Sequence, residues 1–462
     1  MSQYEDTICA PATAPGTGAI GIIRMSGPRA LEICDRVVSF RSGNAVSSPG
    51  YRLKYAELKD GDELLDEGLV AVFRAPNSFT GEDGVELYLH SSPYIMNRAL
   101  ELLCSSGARL AEPGEFTRRA FTAGKMDLAQ AEAVADVIGS SSRAEHKVAM
   151  CQLRGGYSLE LRGLREKLLE LSALLELELD FSEEEVEFAD RERLMALCNS
   201  ARKHCSRLSD SFRLGNAVKN GVPVAIVGAP NSGKSTLLNA LLGDDRAIVS
   251  DIPGTTRDTI EEVCVLDGVK FRFIDTAGLR DASDKVEKMG IDRSYAALEK
   301  AQIVLGVIDG SAPSAAADEA CLVSLCSSRA PACQLIVIHN KSDLCKKGCL
   351  SDSGADSGLL HPVALSALKG DGVDELRALL VSAAGPLDGS ETLVTNARHA
   401  AALSTASASL TLVEDGLRSG LPGDLVAEDL RAAIGSLNEI LGEDITANNV
   451  LGEIFGRFCI GK

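Results

Sequence analysis

One stretch limits the fold more than any other: VAIVGAPNSGKSTLLNALLG, residues 224–243. A β-branched run leads into Gly228-x4-Gly233-Lys234-Ser235, and an apolar helix follows. A strand, a glycine loop and a helix in that order let backbone N–H groups curl around phosphate oxygens, while the helix N-terminus adds positive potential. The side chains have separate tasks. Lys234 reaches the β and γ phosphates, the Ser235 hydroxyl ligates Mg²⁺, and Asn231, Ser232 and Thr236 complete the phosphate loop and its first helical turn. Such a loop works only on a parallel sheet, and the flanking sequence supplies one. VPVAIVG, FRFID, IVLGVID and QLIVIHN are apolar runs of strand length, as expected of parallel strands buried on both faces.

Three more motifs end strands in the same region. Asp275-Thr276-Ala277-Gly278 offers a carboxylate near Mg²⁺ and a glycine amide toward the γ-phosphate. In Asn340-Lys341-Ser342-Asp343 the Asp343 carboxylate can accept from both the N1–H and the N2–H of guanine, a donor pair that adenine lacks. Ser366-Ala367-Leu368 is placed to close over the guanine O6. The expected nucleotide is therefore GTP. Between the phosphate loop and Asp275 lies Pro253-Gly254-Thr255-Thr256-Arg257-Asp258, where Thr256 is the candidate second Mg²⁺ ligand.

Hydrolysis needs a group to orient water. A glutamine after the DxxG glycine does this in Ras-type enzymes, but that position here is Leu279. Asp281, Asp284 and Glu287 are carboxylate candidates, Arg257 and Arg280 are candidate internal arginine fingers, and the Asn231 amide oxygen could hold a monovalent cation beside the phosphates.

Around this module the texture changes. Residues 1–124 read as mixed α and β, with strands at 19–25, 67–73 and 84–90. In the last, Val85, Leu87 and Leu89 face one way and Glu86, Tyr88 and His90 the other, toward solvent or a pocket. Residues 125–216 read as helical. Leu164, Leu168, Leu171 and Leu175 form one stripe, Gly155 and Gly156 interrupt the preceding helix, SEEEVEF (182–188) is an acidic break, and Gly215 is a candidate helix stop. The α/β module takes 217–384. Helices return over 385–462, with Leu430, Ile434, Leu437 and Leu441 on one stripe, Asp424 a candidate N-cap and Gly442 past the end. Val450, Leu451, Ile454, Phe455 and Phe458 form a further stripe. The economical arrangement is an all-α domain built from two segments, with an α/β domain inserted into it.

Composition narrows the setting. The net charge is −19 and no Lys/Arg-rich run stands out, so a nucleic acid would need another source of grip. No apolar run reaches membrane length, the start shows no leader pattern, and the 13 scattered cysteines suit reduced thiols, so a cytoplasmic protein without membrane contact is expected. Cys345 and Cys349 lack a second pair at zinc spacing and read as surface loop. The closing FCIGK is a poor prenylation signal.

FTGEDGVELYLH, PGEFTRRAFTAGKMDLAQAEAVADVI, GAPNSGKSTLLNAL, PGTTRD, DTAGLRDASDKVEKMGI, NKSD and GRFCIGK together resemble the tRNA uridine-modification GTPases of the MnmE (TrmE) family, over nearly the whole chain. The resemblance implies an α+β N-terminal folate-binding and dimerisation domain (1–124), a helical domain in two parts (125–216 and 385–462) and a Ras-like GTPase domain between them (217–384). It further implies a homodimer, and a heterotetramer with the FAD-carrying protein MnmG. Together these act on the wobble uridine of certain tRNAs at C5, with a one-carbon unit from 5,10-methylene- or 5-formyl-tetrahydrofolate. By motif position, Glu287 is the catalytic glutamate, and Asn231 with oxygens of Ser250, Ile252 and Thr255 holds K⁺. Ser235 and Thr256 hold Mg²⁺, and Asp251 counts with the same nucleotide loop. Folate contacts carry over to Arg24, Glu86, Lys125 and Lys462, with Cys459 beside them as a candidate for the modification chemistry. The chain departs at LYLHSSP, where relatives often have HGG. A GTPase switch in ribosome assembly or translation is the competing class, and it has no use for a folate pocket.

Overall fold

The computed structural model describes residues 5–180, 191–243, 262–274, 298, 300–329, 333–345, 360–385, 392–443 and 461. The acidic run 182–188 and the stripe from Val450 to Phe458 lie outside them, as does Cys349. The chain divides into two compact units: Met1–Ile138 with Gln152–Arg202 and Thr405–Lys462, and Gly139–Cys151 with Lys203–Ser404.

The first unit opens with an α+β domain. Its elements are β1 (Ile8–Pro11), β2 (Gly18–Ser26), α1 (Ala30–Val37), β3 (Val38–Phe40), β4 (Arg52–Asp60), β5 (Glu63–Phe73), β6 (Gly84–Ser91), α2 (Pro93–Ser105), β7 (Arg109–Leu110) and α3 (Glu115–Thr122). The strands form one sheet in the order β3-β4-β5-β6-β2-β1-β7. The alternation in β6 decides its faces. Val85, Leu87 and Leu89 are buried with Ile23, Met25, Val70 and Val72 in a core that also takes in residues of α1 and α2. Glu86, Tyr88 and His90 take the other face, in register with Arg24 and Ile22 of β2 and with Leu69 and Ala71 of β5.

Next come α4 (Leu128–Gly139), α5 (Arg143–Leu153), α6 (Gly156–Asp180), α7 (Arg191–Asp210) and α8 (Phe212–Asn220). Gly155, at φ +82°, breaks the chain between α5 and α6. The leucine stripe of α6 is buried at all four positions, and so is that of the late helix Gly423–Leu441. The two helices pack together, and Arg165 donates to Asn438 Oδ1 at 2.6 Å. Within the same unit Arg202 pairs with Glu414 at 3.1 Å. The helical domain is thus assembled from segments before and after the inserted α/β domain. Two expectations are corrected. Gly215 does not stop a helix: it lies inside α8, where a Cβ would fall 2.1 Å from the Val394 carbonyl oxygen, so close backbone approach is what requires glycine there. Asp424 is not the N-cap, which is Pro422; Asp424 sits in the first turn, where its charge still suits the helix dipole.

The α/β domain contains β8 (Val222–Val227), α9 (Lys234–Leu242), β9 (Glu262–Leu266), β10 (Val269–Ile274), β11 (Ile303–Asp309), a helix at Ala315–Arg329, β12 (Gln334–Asn340), β13 (Leu360–Ala364) and a helix at Val373–Ala384. The sheet order is β13-β12-β11-β8-β10-β9, parallel except for β9. From β10 the chain crosses β8 to reach β11, so the strand order reverses beside β8. Ligands of such sheets bind at that crevice, off the carboxyl ends of the strands.

Candidate functional site

The phosphate loop leaves the carboxyl end of β8. Its first glycine, Gly228, backs onto β11 so closely that a Cβ would lie 2.1 Å from the Val307 carbonyl oxygen. Asn231 is left-handed at φ +62° and exposed, a conformation asparagine tolerates better than most residues. Gly233, at φ +97°, caps α9, and a Cβ there would meet Asn340 Nδ2 at 2.1 Å. Lys234 bends back over the loop and donates to the carbonyls of Gly228 and Ala229 at 2.9 and 2.8 Å. Burial lowers its pKa, a cost that an anion in the loop would offset. Ser232 carries a buried hydroxyl with no hydrogen-bond partner among the described residues. Ser235 and Thr236 are exposed in the first turn of α9. An orphaned hydroxyl, a desolvated ammonium and a helix N-terminus in one loop fit a phosphate chain.

Asn340, at the end of β12, ties this loop to the base side. Its Nδ2 donates to Ser232 O at 2.8 Å, and its Oδ1 accepts from Ala367 N at 3.0 Å. Asp343 Oδ1 accepts from Ser366 Oγ at 2.9 Å, and Lys369 approaches its other oxygen at 3.5 Å. That hydroxyl bond first, with help from Lys369, lowers the Asp343 pKa, which keeps it an acceptor for paired N–H donors. Lys341 is left-handed and reaches Asp309 at 2.5 Å. Ser342 opens a single 3₁₀ turn, and Leu368 is exposed. The structure therefore brings together Asn231, Ser232, Gly233, Lys234, Asn340, Asp343, Ser366 and Ala367. Ser250, Asp251, Ile252, Pro253, Gly254, Thr255, Thr256, Arg257, Asp275, Thr276, Ala277, Gly278, Leu279, Arg280, Asp281, Asp284 and Glu287 lie outside the described residues.

A second constellation sits on the face of the N-terminal sheet opposite its core. Arg24 and Glu86 are direct cross-strand partners, and Arg24 Nε donates to Glu86 Oε1 at 2.9 Å. Tyr88 donates its hydroxyl proton to Glu86 Oε2 at 2.8 Å, and burial, then that bond, raises the tyrosine pKa. The Arg24 guanidinium lies over Phe79 at 5.4 Å and over Phe116 at 5.8 Å. Lys125 is exposed, and its stem lies beside Gly81. Lys462 and Cys459 lie outside the described residues, but Gly461 is within them. It is buried at φ +94°, and a Cβ there would fall 1.9 Å from the Pro11 carbonyl oxygen. Pro11 is next in β1 to Ala10, the register partner of Arg24, so Gly461 meets the strand that neighbours this pair. A carboxylate beside a guanidinium that lies against aromatic rings can offer a flat heterocycle an acceptor for N–H donors and a donor for a carbonyl. Phe79 and Phe116 were not legible as parts of this site, because a loop and a helix far along the chain from Arg24 bring them to it.

Residues 7–125 match the family model described as the GTP-binding protein TrmE N-terminus, and residues 128–459 match that of the MnmE helical domain. The tRNA modification GTPase MnmE of Bacteroides thetaiotaomicron is 47% identical over 470 residues, covering 99% of this chain and 100% of its own. The protein of the same name from Parabacteroides distasonis is 48% identical over 462 residues, with 99% and 100% covered. That of Porphyromonas gingivalis is 47% identical over 470 residues, with 100% and 99% covered.

Proposed function

Since the chain belongs to the MnmE family of tRNA modification GTPases, and is thus a GTPase that acts in tRNA modification, we propose that it couples GTP hydrolysis to building a carboxymethylaminomethyl or aminomethyl group at C5 of the wobble uridine of certain tRNAs. The observation that carries this reading is the Arg24–Glu86 pair, with the Arg24 guanidinium against Phe79 and Phe116, on a domain that lacks the phosphate loop. A GTPase that only switches has no need of a second, pterin-shaped set of donors and acceptors. A tetrahydrofolate bound there would supply the one-carbon unit; Arg24, Glu86, Lys125 and Lys462 would hold it, and Cys459 would stand beside it.

In the α/β domain, Lys234 and the phosphate-loop amides hold the triphosphate, and Asp343 reads the guanine edge. Ser235 and Thr256 would hold Mg²⁺, which neutralises phosphate charge when bound. Asn231 with Ser250, Ile252 and Thr255 would hold K⁺, the charge an arginine finger supplies in other GTPases. Glu287 orients the attacking water in place of the glutamine that Leu279 replaces.

The N-terminal sheet leaves Ile20, Leu53 and Leu69 exposed at 62%, 58% and 39%, which supports a homodimer formed through this domain. Among the described residues no helix is long and apolar enough to cross a membrane. The flavin that the oxidative step requires would come from an MnmG-type partner in a heterotetramer. That partner would also bring tRNA-binding charge, which a chain of net charge −19 lacks. A cytoplasmic setting follows from a tRNA substrate. Nucleoside analysis of total tRNA from a strain deleted for this chain tests the reading. Loss of the C5-modified wobble uridine is expected, and an unchanged profile would overturn it in favour of a switch in ribosome assembly or translation.

A further inference from the structure

The N-terminal domain buries an ionic cluster that the chemistry above does not use. Arg119, on α3, is 1% exposed, with Glu115 at 0% and Glu82 at 7% around it. Arg119 reaches Glu115 at 2.9 Å, Asp6 at 2.8 Å and Glu82 at 3.3 Å. Glu82 is not on a helix or strand. It lies in the loop between β5 and β6, and its other contacts lead toward Arg24. Its Oε2 accepts from Ser26 Oγ at 2.8 Å, two residues along β2 from Arg24, and Ser26 Oγ also meets Thr80 Oγ1 at 2.7 Å. Thr80 Oγ1 in turn accepts from the Glu82 amide at 3.3 Å. The short segment held this way carries Phe79, whose ring lies against the Arg24 guanidinium, and Gly81, which lies beside the Lys125 stem.

We propose that Arg119 and Glu82 are positioning residues for the Arg24–Glu86 site: their buried pairing fixes residues 79–82 so that Phe79 stands beside Arg24 as a wall for a flat heteroaromatic ring. An ionic pair is a costly way to fill a core, since burying both charges loses their hydration. Apolar side chains would fill the same space at less cost but would not fix where the loop stands. Phe79 is 39% exposed, so part of it stays open beside Arg24. This inference deepens the folate reading and rests on it.

The test uses the full chain and 5-formyl-tetrahydrofolate as probe, with Glu82→Gln and the milder Thr80→Val, which removes only the hydroxyl bridge. Calorimetric affinity for the probe, GTP affinity, thermal unfolding and amide exchange of residues 78–83 are read together. Expected is a loss of probe affinity of about tenfold for Glu82→Gln and a smaller loss for Thr80→Val. GTP affinity should hold, Thr80→Val should melt with the parent, and the slowing of loop exchange that the probe gives in the parent should shrink in both. Probe affinity within twofold of the parent for both variants overturns the proposal. So does a loss that only tracks the drop in melting temperature. If the parent itself does not bind the probe, the folate reading fails, and this inference with it.

Discussion

Asn340 shows how much one side chain can hold. It satisfies a carbonyl of the phosphate loop and an amide of the base loop at once, and it is 3% exposed. Asn340→Ala leaves both partners buried without a bond, at about 1–3 kcal/mol each. Guanine-nucleotide affinity should fall at least tenfold in a fluorescent-nucleotide titration. Asp343→Asn keeps the size but swaps an acceptor for a donor. GTP affinity should drop while xanthosine triphosphate, which presents a carbonyl where guanine has its amino group, gains. Glu287→Ala should leave GTP binding near the parent value and abolish most turnover, measured as phosphate release; a normal rate would return the task to Arg257 or to water alone. Glu115 sets an acid limit. Burial by itself would raise its pKa, but bonds from Arg109, the Glu112 amide and Arg119 bring it down to about 2 from an ordinary 4.5. Its contribution to stability is therefore complete above its ordinary pKa and is lost as pH falls from about 4.5 toward 2. Arg119→Ala, which takes the buried guanidinium from Glu115 and Glu82 but leaves Arg109 on the first and Ser26 on the second, should cost about 3 kcal/mol in denaturant unfolding.

At the scale of elements, what the sequence makes legible is what local chemistry dictates. β8, β11 and β12 are apolar runs and so announce themselves, while β10 alternates Lys270 and Arg272 with buried Val269, Phe271 and Phe273, and the β6 alternation names its buried face. The phosphate loop needs glycines at 228 and 233, and the structure gives the reason in distances: Val307 O and Asn340 Nδ2 occupy the places of the missing Cβ atoms. Gly215 shows the limit. A glycine inside a helix looks like a stop when its partner, the Val394 carbonyl, lies far along the chain. Gly215→Ala should destabilise the α/β unit, although alanine favours helix, and thermal unfolding checks the sign. The Arg24–Glu86 register, the aromatic pair beside it and the Arg119 cluster were illegible for the same reason. Each depends on contacts between segments distant in the chain, and apart from the i,i+4 pair of Glu115 with Arg119 no local pattern carries them.

At the scale of the whole molecule, the proposed function divides labour between a hydrolytic site and the Arg24–Glu86 site. Replacing K⁺ by Na⁺ in the assay buffer should slow GTP hydrolysis strongly, and indifference to the exchange would remove Asn231 from a cation site. Gly461 adds a constraint of timing. It closes against Pro11, nearly the full length of the chain away, with no room even for a methyl group. Chains are made from the N-terminus, so the strand that carries Pro11 emerges from the ribosome long before the residue that covers it. The N-terminal sheet must then stand, while nearly all of the chain up to Gly461 is made, without the contact that Gly461 gives Pro11.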